Sequence, residues 1–226
     1  MAPSEANYRH IKKRVRRTLN YGSRHVRGPH LPLSELMVDY FNKASPFDYL
    51  KPDTSAAYSS SGFTDTCALV VAMCYLERMR TQQKEAFEAT SPADMYLPAL
   101  VLASKYLHDS DQDERVSNTD WAILAGMEPK ELADLEWQFV KNIDWNVAVT
   151  AEDFEKRLRM MESWVAANFL SRNSFCTYNE ATILSDHYAT QLLSSVRAFL
   201  GVVANTMLLY LASVASVVLL LNSAHG

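Results

Sequence analysis

The chain has 226 residues, of which 48% are hydrophobic and 21% charged, with six Gly and eight Pro. That length can bury a real core, and that composition excludes disorder as the dominant state. A net charge of −4 excludes a general nucleic-acid binder, and three cysteines without CxxC spacing exclude a disulfide framework or a zinc site.

The charge is unevenly spread. Arg9, Lys12, Lys13, Arg14, Arg16, Arg17, Arg24 and Arg27 crowd the N-terminus with no acid among them. Residues 1–30, broken by Gly22, Gly28 and Pro29, are expected to be a basic flexible arm suited to an anionic surface. No apolar run follows the basic residues, so the arm does not read as a secretory signal.

From Leu31 the pattern turns helical. Leu33, Leu36, Met37 and Tyr40 repeat at helical spacing, with Ser34 as the expected N-cap and Pro46 as the stop. Residues 51–62, rich in Pro, Ser and Gly, are expected to be loop. Phe63 to Gln82 reads as a helix capped by Thr64. It is apolar over most of its circumference and therefore central. Cys67 and Cys74 lie seven apart on one face and read as core.

Ser91 and Pro92 form a helix start, N-cap followed by proline at the first helical position. Leu97, Leu100, Val101, Ser104 and Leu107 continue at helical spacing, with Pro98 inside the first turns. His108 to Asn118 is acidic loop. Asn118 or Thr119 is expected to cap a short helix, Trp121 to Ala125, that Gly126 ends. Pro129 starts the next helix, Glu131 to Ile143. Thr150 caps another, striped by Phe154, Leu158, Met161, Trp164 and Val165. No alternating strand pattern appears, so the fold class is all-α. Residues 171–197 read as linker or helix. Residues 198–221 hold no charge and exceed the roughly 18–20 apolar residues that span a bilayer as a helix.

No phosphate loop, dinucleotide fingerprint, nucleophile elbow or HExxH is present, and the six histidines are scattered. The chain is therefore expected to be no enzyme, with no catalytic residue, no cofactor and no small-molecule substrate. Asp109, Asp111, Asp113 and Asp120 fall at positions one, three, five and twelve of an EF-hand loop. Position six is Glu114 where that loop needs glycine, so the segment reads as solvated acidic loop with no metal.

Two charges stand where core-forming helices prefer neutral residues: Lys105, and Glu136 between Leu135 and Trp137. If their helices pack side by side, they present one cation and one anion on an apolar rim. A partner with a complementary ion pair could dock there, the charges setting register and specificity.

These residues are where the sequence resembles the cyclin-box family. CALVVAMCYLERM (67–79) resembles the second box helix, with its Tyr-x-(Asp/Glu)-Arg ending. PALVLASKYLHD (98–109) resembles the third. SNTDWAILAG and EPKELADLEWQFVKNIDWNVAV, together residues 117–149, resemble the fourth and fifth. The asparagine–tryptophan pattern and the LE…F…IDW ending are similar to Pcl/Pho-type cyclins and to the animal cyclin Pas/Pho domain-containing proteins. The likeness covers about residues 33–165. It departs in the first helix, LPLSELMVDYFNKAS, where the usual arginine is not found, and in the lack of a second box after 165.

The resemblance implies a single five-helix cyclin box, expected over residues 31–170, that binds and regulates a cyclin-dependent protein kinase. It implies that Lys105 and Glu136 contact the kinase's regulatory helix. Residues 198–221 are then expected to be a single-pass C-terminal membrane anchor with the cyclin domain cytosolic. The alternative locations are the cytoplasm or nucleus, with that helix part of the core. The rival function is a cyclin-fold protein-interaction scaffold at a membrane, without kinase activation.

Overall fold

The computed structural model describes residues 11, 13–14, 31–45, 48–60, 65–108, 117–173 and 175–224. Every regular element among them is helical, and the fold is all-α. In chain order the helices are α1 (Leu31–Ala44), α2 (Pro52–Ser60), α3 (Thr66–Gln82), α4 (Lys84–Ala89), α5 (Pro92–His108), α6 (Asn118–Ala125), α7 (Pro129–Asn142), α8 (Ala151–Arg172) and α9 (Tyr178–Ala224). The chain divides into two compact units, Met1–Phe175 and Cys176–Gly226.

In the first unit α3 is the axis of the core. Its residues from Thr66 to Leu76, and Met79, are all buried, as expected of a helix apolar around most of its circumference. α5 and α8 pack on it, α7 packs on α5, and α6 packs on α7. Cys67 and Cys74 are buried core residues held in no disulfide among the described residues, and burial pushes the Cys74 thiol up to about 11. Phe41 from α1, Phe87 from α4 and Tyr96 from α5 form an aromatic cluster, with Phe41 stacked on Phe87 at 6.3 Å.

Helix starts follow local chemistry where a side chain can reach the free N–H groups. Ser91 Oγ accepts from the Asp94 amide at 3.3 Å, and Thr150 Oγ1 accepts from the Asp153 amide at 3.0 Å. Pro129 opens α7 as expected. The cap of α6 is Ser117, one residue before the expected Asn118 and two before Thr119. Ser117 and Asp120 close a reciprocal capping box, and Gly126 ends the helix in the left-handed conformation at φ 67°. Asp120, the last of the four acids in the EF-hand pattern, is thus committed to helix capping. Asp109, Asp111 and Asp113 lie outside the described residues, as does Thr64, and α3 starts after Asp65.

Two expectations near the N-terminus are corrected. α1 begins at Leu31, so Ser34 is no cap; it is buried inside the helix and its carbonyl accepts from Ser55 Oγ at 2.8 Å. Residues expected to be loop form α2 instead. Ser55, Tyr58 and Ser59 are buried on one face of it, and Ser59 Oγ bonds Tyr96 Oη at 2.9 Å. Serines with partners behave there as small core residues, so an apolar stripe is not needed.

The second unit is α9, a single helix of 47 residues. It runs without a break through the boundary expected at 197/198. Thr177 and Glu180 bond one another at its start, with the Thr177 amide donating to Glu180 Oε2 at 2.9 Å. Leu193–Ser216 is long and apolar enough to cross a membrane, and none of that window is buried.

Candidate functional site

The site is built from α5, α6 and α7. The periodicity of α5 turns Val101, Ala103 and Ser104 inward and leaves Lys105 half-buried at the helix flank. On α7, Leu132, Phe139 and Val140 face the core, and Glu136 lies on the adjoining flank. The packing of α7 on α5 brings the two flanks together. Lys105 Nζ donates to Glu136 Oε1 at 2.6 Å and to Oε2 at 2.7 Å. The side chains are 33% and 15% exposed. The expected outward-facing cation and anion are therefore an ion pair with each other, open to solvent mainly on the lysine side.

Asn118 completes the arrangement. It is the first residue of α6, and its Nδ2 donates to Glu136 Oε2 at 3.2 Å. Glu136 thus accepts three hydrogen bonds from two other helices. Sequence reading gave Asn118 only a capping role. The signal was its place in the asparagine–tryptophan pattern: Ser117 takes the cap and leaves the carboxamide free to reach across.

Around the pair, the loop after α7 is tied down by α3 and α5. Tyr75 Oη donates to the Val147 carbonyl at 2.9 Å, and Arg78 donates to the carbonyls of Asn146 and Ala148, the latter at 3.1 Å. The Val149 amide donates to Tyr106 Oη at 3.4 Å. The turn that follows α7 holds two non-glycine residues with positive φ, Asp144 at 52° and Trp145 at 58°. The Trp145 amide donates back to the Val140 carbonyl at 3.0 Å, a six-to-one closure of the helix end. That turn sets Trp145 edge-on to Trp137 at 4.9 Å, both more than half exposed, with Lys141 Nζ 5.2 Å from the Trp137 ring.

The Tyr-x-Glu-Arg pattern of α3 has a clear division of labour. Tyr75 and Arg78 hold the loop after α7. Glu77 points the other way and accepts from Arg80 and, at 3.2 Å, from Tyr40 Oη, with Arg157 of α8 at 3.9 Å. The Arg80 hydrogen bonds hold the Glu77 carboxyl below its ordinary value, and burial pushes the Tyr40 phenol up. On another flank of α8, Arg14 bonds Glu162 at 2.7 Å and Glu155 at 2.6 Å. Burial alone would disfavour the Arg14 charge, but the two carboxylates outweigh it and raise its pKa. The other basic residues of the arm, apart from Lys13, lie outside the described residues.

Residues 37–147 match the family model described as Cyclin. The match supports a cyclin-box family. The matched stretch is just under half of the chain and holds Lys105, Asn118 and Glu136, while α8 and α9 lie beyond it. No solved structure matches the chain. The five helices expected from the sequence resemblance correspond to α1, α3, α5, α6 and α7. α2 and the short α4 are additional turns between them.

Proposed function

We propose that the protein is a regulatory subunit of the Pcl/Pho cyclin type that docks a cyclin-dependent protein kinase at Lys105 and Glu136 and is held at a membrane by α9. The observation that carries the reading is the Lys105–Glu136 pair, placed within a matched cyclin box and fixed by Asn118. A kinase helix bearing complementary charges would exchange contacts with a pair already ordered, so little side-chain entropy is lost on docking. The cyclin then acts by position. It presses the kinase's regulatory helix inward, which sets the kinase's own Lys–Glu pair and activation loop for phosphoryl transfer. It supplies no catalytic group.

The membrane part rests on α9. The apolar window of 24 residues is about 36 Å long at 1.5 Å per residue, against a hydrocarbon core of about 30 Å. Phe199, Leu209 and Tyr210 are each at least two-thirds exposed, a surface that water disfavours and lipid does not. Three of its hydroxyls bond back to the helix: Thr206 donates to the carbonyls of Val202 and Val203, Ser213 to Tyr210, and Ser216 to Ala212.

Affinity capture of the full chain from detergent-solubilised membranes, with the soluble fraction in parallel, tests both parts. A kinase recovered from the membrane fraction is expected. A soluble protein with no kinase partner would overturn the proposal and favour a cyclin-fold scaffold.

A further inference from the structure

A groove of about 560 Å³ lies between α1, α2 and α8, on elements that take no part in the Lys105–Glu136 site. That volume falls within the roughly 300–1,000 Å³ of ligand-binding clefts, room for more than one side chain. Its walls hold three carboxylates, Glu35 and Asp39 from α1 and Asp53 from α2. Facing them from α8 are Trp164, Asn168 and Arg172.

The groove already displays the chemistry it favours. Arg172, on the last turn of α8, sets its guanidinium on Glu35 at 3.0 Å, and Asn168 Nδ2 donates to the same carboxylate at 3.2 Å. The Arg172 side chain is 60% exposed, so this cation is surface-held and exchangeable. Trp164 Nε1 donates to Asp39 Oδ2 at 2.7 Å, which fixes the indole in the wall. Asp39 also meets Lys43, whose side chain is 72% exposed at the rim. Asp53 is exposed and has no partner among the described residues. Three acids thus face two solvent-exposed cations and one oriented aromatic ring. Carboxylates flanking an indole suit a guanidinium or ammonium group, by ion pairing and by cation–π contact.

We infer that this groove docks an arginine- or lysine-rich segment of a partner protein, with Asp53, Asp39 and Glu35 receiving its cations beside Trp164. The segment enters by displacing Arg172 from Glu35. The surface is separate from the kinase-docking pair, so the chain can hold two partners at once.

The test uses the full chain in neutral detergent and a fluorescein-labelled octapeptide of alternating Arg and Ser, read by anisotropy. An octapeptide of alternating Glu and Ser is the control. The cationic probe binds and the acidic one does not. Asp53→Asn and Asp39→Asn each weaken binding by about twofold to fivefold, the range expected of partly exposed ion pairs. Glu85→Gln, the same change of charge on α4, leaves it unaltered. Arg172→Ser tightens binding by more than Lys156→Ser, which removes a cation from elsewhere on α8; a gain of this kind cannot arise from misfolding. The inference is overturned if Glu85→Gln weakens binding as much as the groove variants, or if Arg172→Ser gives no gain beyond Lys156→Ser. It is equally overturned if replacing Arg16, Arg17, Arg24 and Arg27 with Ser tightens binding, because the chain's own arm would then be the occupant.

Discussion

The Lys105–Glu136 pair can be weighed by a double-mutant cycle on two readouts. Two charge-assisted bonds of 2.6 and 2.7 Å join side chains that are 33% and 15% exposed. At this separation the Coulomb energy is about 6 kcal/mol for an effective dielectric of 20. Desolvation of Glu136 and the solvent-facing lysine offset most of it. A net coupling of about 1–2 kcal/mol results, between the exposed and buried limits. Lys105→Ala leaves Glu136 with Asn118 alone and is expected to cost about 1–2 kcal/mol. Glu136→Ala is expected to cost a similar amount, and the double variant less than the sum. Urea unfolding followed by tryptophan emission reports on the first unit, since all four Trp residues lie in it. Against a typical total of 5–15 kcal/mol, each single variant stays largely folded. Loss of kinase capture by the single variants would then be loss of docking. Additive stability effects within about 0.3 kcal/mol would refute the pairing energetics. Normal kinase capture by both single variants would refute the docking role.

Asn118→Ala removes the third bond to Glu136 and is expected to cost about 0.5–1.5 kcal/mol in the same unfolding assay, and to weaken kinase capture less than Lys105→Ala does. Arg14→Met removes the two guanidinium hydrogen bonds to Glu162, whose side chain is only 4% exposed, and is expected to cost about 2–3 kcal/mol in that assay. Hydrogen bonds and charge from Arg14 and Arg159 hold the Glu155 carboxyl below its unfolded value of 4.5 despite its burial. That stability is present above about pH 4.5 and is lost as the pH falls further. Arg14→Met should therefore flatten the acid limb of a stability–pH curve, and an unchanged limb would contradict the assignment. Ala204→Arg places a charge at the middle of the apolar window, at about 2.5–3.5 kcal/mol on insertion scales. It should shift the protein out of the carbonate-resistant membrane fraction.

Much of the fold was legible because burial follows periodicity. α3 and α5 announce themselves by apolar faces, and Ser91–Pro92, Pro129 and Thr150 mark their helix starts by local chemistry that needs no tertiary partner. α2 was not legible, since Ser55 and Ser59 are buried only because Ser34 and Tyr96 lie opposite them, 21 and 37 residues away. The cap of α6 was missed by one residue because three consecutive polar residues could each serve, and only the reach of Asp120 back to Ser117 decides among them. The positions of Lys105 and Glu136 could be read from their flanks. Their mutual bond could not, because it depends on how α7 lies on α5. The α1–α8 groove had no sequence signal, its walls being as much as 137 residues apart.

The continuity of α9 has a mechanical consequence. Fifteen residues separate Tyr178 from Leu193, where the apolar window begins. With that window in the bilayer, this stretch is a stiff stilt that lifts Tyr178 about 22 Å above the hydrocarbon edge. On such a stilt, height and compass bearing are coupled. Each residue removed lowers Tyr178 by about 1.5 Å and swings it by about 100°. Taking out seven residues lowers it by about 10 Å while nearly restoring its bearing, whereas taking out two turns it to the opposite side. If the proposed function holds, a deletion series through residues 181–192 therefore separates how far the first unit must reach from which way it must face.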